Sequence, residues 1–95
     1  MKVEKSPSSL LPDDLDDREK IVEYLNACMD QEDDDRVLAA ILEVARTQGV
    51  TKVAHAAGLG RANLYKSLTP GAKPRYETIQ KLLHAIGVKF VAVSE

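Results

Sequence analysis

Residues 50–68 read VTKVAHAAGLGRANLYKSL, and their spacing predicts two short helices, about 51–57 and about 61–68, hinged at a glycine. That is the arrangement of a helix-turn-helix. Ala54 falls where the first helix touches the second, Gly58 falls in the turn, and Leu64 plugs the second helix into the core. Two helices crossing this closely leave no room for a large side chain at 54. The turn needs a left-handed backbone, which glycine adopts without a Cβ clash. Thr51 is placed to cap the first helix, and Gly60 stands at the cap of the second.

The second helix carries the chemistry. With Leu64 inward and a step of about 100° per residue, Ala62 and Lys66 point away from the core, with Asn63, Tyr65 and Thr69 on the flanks. Arg61 sits at the N-terminal tip, the end that meets base edges in a major groove. Arginine pairs bidentately with guanine and asparagine with adenine; a small alanine lets the backbone approach and can touch a thymine methyl. No acidic residue interrupts Lys52 to Arg75. The candidate DNA-binding residues are therefore Lys52, Gly60, Arg61, Ala62, Asn63, Tyr65, Lys66, Lys73 and Arg75. The bland alternative is an ordinary solvated helix surface. The unbroken absence of acid weighs against it, and Arg75 adds support, because it opens the last helix with a charge that opposes the helix dipole. A phosphate held by Lys73, Arg75 and the free helix amides would compensate.

Outward from this stretch the chain reads as an all-α, five-helix domain with a short C-terminal strand. Residues 1–14 include Pro7 and Pro12 and lack periodicity, so they read as a flexible arm, with a single domain over 15–95. Asp16 can cap a first helix of about 17–29, in which Ile21, Val22, Leu25, Cys28 and Met29 share a face. A second helix of about 34–48 places Val37, Leu38, Ile41, Leu42 and Ala45 on its stripe and stops at Gly49. After the loop Thr69–Pro74, a last helix from Arg75 to Ile86 turns Ile79, Leu82, Leu83 and Ile86 inward and stops at Gly87. Residues 88–93, VKFVAV, are β-rich. A lone strand is unstable in water, so this one is expected to pair with a partner chain's copy or with other protein.

The 95 residues suffice for one domain. The single cysteine, Cys28, rules out an internal disulfide framework and fits a reducing, cytoplasmic setting. No apolar run approaches the roughly 18 residues of a membrane span, so no membrane is expected. His55 and His84 stand apart, with no metal-ligand spacing and no nucleophile constellation, so neither a catalytic nor a metal site is expected and no cofactor is implied. The net charge of −2 hides a division: residues 1–35 hold four basic and twelve acidic side chains, residues 36–95 nine basic and three acidic. Charge split between the halves implies two surfaces with different partners, the alternative being solvated faces without function.

The run GVTKVAHAAGLGRANLYKSLTPGAKPRYETIQKLLHAIG, with YLNAC at Tyr24–Cys28 and AR-x-x-G at Ala45–Gly49 upstream, resembles the antidote (antitoxin) proteins of type II addiction modules, of the HigA-like kind. These carry a Cro/lambda-repressor type helix-turn-helix. The resemblance implies a small toxin of RelE/ParE type as partner, and an antidote that silences it and represses their shared promoter at double-stranded operator DNA. Many relatives have a serine where this chain has Gly60. Toxins that act on RNA tend to be basic, and the acidic N-terminal third is their complement. Asp30, Glu32, Asp33, Asp34 and Asp35 are thus the candidate toxin-binding residues. The same acidic run could instead compete with DNA for the chain's own basic face. A compact chain of this length has a radius of gyration near 12 Å, while successive half-sites lie about 34 Å apart. One copy cannot fill both, so a homodimer on a palindromic operator is expected. The alternative function is a free-standing repressor without a toxin.

Overall fold

The structure, a computed structural model, describes residues 2–5 and 15–92. Among them the elements run in the order β1 (Lys2–Lys5), α1 (Leu15–Met29), α2 (Asp34–Gln48), α3 (Val50–Ala56), α4 (Arg61–Ser67), α5 (Tyr76–Ile86) and β2 (Val88–Val91). The chain is mostly helical, with one small two-stranded sheet.

Apolar spacing accounts for the helices. In α1, Leu25 and Cys28 are buried, with Ile21, Val22 and Met29 packed against the core. The helix starts at Leu15, so Asp16 lies within its first turn rather than capping it. In α2, Leu38, Ile41 and Ala45 are buried as the stripe predicts, joined by Ala40 and Val44. The stripe is wider than predicted because α2 packs against α1, α3 and α5 at once. Asp33 caps α2, its carboxylate accepting the Arg36 N–H.

Gly49 ends α2 at φ 106°, ψ 108° and leads straight into α3, where no side chain caps the helix. The Thr51 cap is thus corrected: the glycine kink starts α3 one residue earlier, and Thr51 lies inside it. Gly87 closes α5 in the left-handed region at φ 100°.

The largest correction falls at the ends of the chain. Residues 2–5 are a strand, not part of an arm, and β1 pairs antiparallel with β2 in the register Lys2↔Val91, Val3↔Phe90, Glu4↔Lys89, Lys5↔Val88. Residues 6–14 lie outside the described residues. β2 finds its partner within its own chain, and is defined from Val88 to Val91. The expected five helices and C-terminal strand are present, and what the expectation lacked is the N-terminal strand that completes a two-stranded sheet.

What fixes β1 is a side chain from α1. Asn26 accepts the Val3 N–H at 2.8 Å and donates its own amide to the Val3 carbonyl at 3.2 Å. Both main-chain groups of Val3 therefore point away from β2, which makes Val3↔Phe90 a non-hydrogen-bonded pair. Asn26 acts as one peptide unit of a missing neighbouring strand and occupies part of the open edge. The Val3 side chain is fully buried beside Val88 in the core.

Candidate nucleic-acid interface

The α3–α4 unit follows from three residues. Ala54 is buried at 3% exposure, leaving space for the turn to fold back. Gly58 adopts φ 70°, and the chain then bonds back onto α3 through Leu59 N–H to the Ala54 carbonyl at 2.9 Å. Leu64 and Leu68 are fully buried and anchor α4. With Leu64 inward, the remaining positions have only one way to point.

Arg61, Ala62, Asn63 and Lys66 are exposed on the outer side of α4, and Lys52, Gly60, Lys73 and Arg75 are exposed around it. Gly60 caps α4 in an extended conformation (φ −70°, ψ 151°) with no side-chain bond to the free helix amides. Arg75 is the N-cap residue of α5, and no side chain caps that helix either. Glu77 in the first turn of α5 offsets the dipole mismatch in part while pairing with Lys81 at 3.1 Å.

Tyr65 differs from its neighbours. It is half-buried, and two guanidinium groups lie over its ring, Arg61 at 5.9 Å and Arg46 at 6.0 Å from the centroid. The two guanidinium groups, Arg61 above all and then Arg46, hold the phenol below its usual range. Sequence reasoning missed Arg46, which belongs to the last turn of α2. Its nearest signal was the Ala45–Gly49 run, but nothing in a linear pattern says that this arginine reaches α4. The result is a cationic patch built from two helices, with Tyr65 holding the charges in place.

The acidic run is less free than its composition suggests. Asp33 is committed to capping α2. Asp35 accepts the Gly71 N–H at 2.8 Å and so fastens the loop between α4 and α5 onto α2. All five candidate toxin-binding carboxylates are exposed, and two of them, Asp33 and Asp35, have structural duties. The backbone turns between α1 and α2 at Glu32, whose φ is 55°. His55 and His84 are both exposed. Among the described residues, no three His, Cys, Asp or Glu side chains gather as metal ligands. No helix of the described residues is long and apolar enough to cross a membrane.

Comparison with known proteins supplies the family. An uncharacterized protein of Haemophilus influenzae (strain ATCC 51907 / DSM 11121 / KW20 / Rd) is 30% identical over 76 residues, covering 80% of this chain and 78% of the relative. No solved structure matches the chain. A family model described as a probable addiction module antidote protein matches residues 9–94, which takes in all five helices and β2. The chain therefore belongs to the family of probable addiction module antidote proteins, whose role implies a toxin partner.

Proposed function

We propose that this chain is the antidote of a type II module of the HigA-like kind, a non-catalytic cytoplasmic protein that neutralises a RelE/ParE-like toxin and represses the promoter they share. In this reading α3 and α4 form a Cro/lambda-repressor type helix-turn-helix, with α4 in the major groove. The observation that carries it is the outward face of α4: Arg61, Ala62, Asn63 and Lys66 exposed while Leu64 is buried, flanked by Arg46 and Tyr65. Arg61 and Asn63 read base edges; Lys52, Lys66, Lys73 and Arg75 meet phosphates. Gly60 lets the DNA backbone approach the tip of α4.

Size supports a homodimer in this reading. The radius of gyration is 12.4 Å and each chain offers one recognition helix, whereas half-sites recur about every 34 Å. Family membership favours the antidote over a free-standing repressor. Co-expression with the product of the adjoining gene, followed by a mobility-shift assay on the intergenic DNA, tests both halves. The expected result is a stable complex and a salt-sensitive shift. A shift with no toxin rescue would leave a plain repressor; rescue with no shift would remove the operator role.

A further inference from the structure

On the side of α2 next to the α1–α2 turn lies an open groove of about 510 Å³. Its floor is apolar, made by Met29 of α1, Val37 of α2, Ile79 of α5 and Phe90 of β2. All four are only half-buried, although each packs against the core. Glu32 and Asp34 stand exposed on one rim. The opposite wall is the loop that Asp35 ties down through Gly71, and it carries Lys73. Concave, mostly apolar and edged with fixed charge, the groove has the form of a recognition site rather than a packing fault.

We infer that this groove is the docking site for an amphipathic helix of the toxin, one that offers apolar side chains at i, i+3 and i+4 and flanks them with lysine or arginine. The inference rests on the antidote reading above. Charge selects the occupant: three exposed carboxylates against one lysine around the groove, next to an N-terminal third that carries twelve acidic against four basic side chains, attract a basic segment. The apolar floor adds the area that a purely electrostatic contact lacks, and a single helix face laid in a groove is the recurring way to bury it. A second copy of this chain is the weaker candidate. A two-fold contact places the same patch against itself, and with three carboxylates against one lysine around the groove the like charges outnumber the opposite ones.

The test uses the full chain throughout. A synthetic amphipathic helix of leucines and lysines, titrated into isotopically labelled protein, should shift the amides of Met29, Val37, Ile79 and Phe90. The same peptide with glutamates for lysines should not. Shifts centred elsewhere, or none, overturn the inference, as do shifts at these amides that depend on protein concentration alone and so report self-association. In the natural complex, the double variant Glu32→Lys with Asp34→Lys should weaken toxin binding at least tenfold at low salt while its helical circular dichroism stays native. Glu23→Lys, a single charge reversal away from the groove, should change it less than threefold, against at least threefold for Glu32→Lys alone. If wild type and the rim variant bind toxin alike, the groove assignment fails and the antidote reading stands. If wild type itself fails to bind toxin, the antidote reading falls and takes the groove with it.

Discussion

Replacing Asn26 with alanine should detach the N-terminal strand before it unfolds the domain. The residue makes two hydrogen bonds to Val3, each worth about 0.5–1.5 kcal/mol net, and its loss leaves an N–H and a carbonyl to be resolvated behind a buried valine. The expected cost to β1 docking is about 2–3 kcal/mol. That figure is decisive because β1 is marginal. Ordering its four residues costs roughly 4–8 kcal/mol of backbone entropy, against about 1.5–3 kcal/mol for burying Val3, the Asn26 bonds and a short ladder. The rest of the core, including Leu25, Ile41, Leu64 and Leu83, does not depend on Asn26, so opening should be local. Native-state hydrogen exchange is the assay. Since Val3↔Phe90 is the non-hydrogen-bonded pair, the protected amides of the ladder include those of the adjacent pair Glu4↔Lys89. Their exchange should speed up by roughly 30–100-fold, at about 1.4 kcal/mol per decade, while amides in α2 and α5 move far less. Asn26→Asp keeps the acceptor and loses the donor, and should fall between. Unchanged exchange at Glu4 and Lys89 in the alanine variant would refute the clamp, and an equal rise across α2 and α5 would refute the local opening.

Glycine positions separate by backbone conformation. Gly60 is extended and a Cβ there meets only the Asn63 amide at 3.9 Å, so Gly60→Ser should add a cap and raise stability by about 0.5 kcal/mol, or roughly 2–4 °C in thermal midpoint. Gly87→Ala, at φ 100°, should cost about 1–2 kcal/mol by urea unfolding. Two tyrosines should titrate in opposite directions by ultraviolet difference spectroscopy against their phenylalanine variants. The Tyr24 hydroxyl donates to the Glu43 carboxylate, which pushes its pKa from 10.0 up to about 12; the stability it contributes is present below pH 10 and fades as pH rises from 10 toward 12. Tyr65 should ionise earlier than Tyr24, and any stability gained from its phenolate appears only at alkaline pH and is lost as pH falls through its lowered pKa. Arg46→Ala should raise the Tyr65 ionisation pH and, if Arg46 meets a phosphate, reduce the log–log salt slope of operator binding by about one per protomer; a slope unchanged from wild type would place Arg46 off the DNA.

The candidate site was legible in part. Arg61, Ala62, Asn63 and Lys66 could be aimed outward from sequence because burying Leu64 fixes the rotation of a seven-residue helix. The acidic residues were legible only as charge. That Asp33 caps α2 and Asp35 holds Gly71 changes how charge reversal there must be interpreted, since either substitution would loosen the fold as well as any partner contact. Glu32 and Asp34 are the better probes.

Sequence by itself determined the helices α1 to α5, the glycine stops at 49 and 87, and the inward residues of the α3–α4 unit. Those signals are local, because a helix repeats every 3.6 residues and its bonds reach only four positions along the chain. Tertiary structure decided what distant segments do to one another. It brought β1 to β2 from opposite ends of the chain, set Asn26 against Val3, laid Arg46 over Tyr65, and opened a groove where α1, α2, α5 and β2 meet. The four residues of β1, Lys-Val-Glu-Lys, carry too little local signal to announce a strand. Its stability comes from burying Val3 and from the partner and the asparagine that complete its hydrogen bonds, and a linear pattern holds no record of which residues those will be.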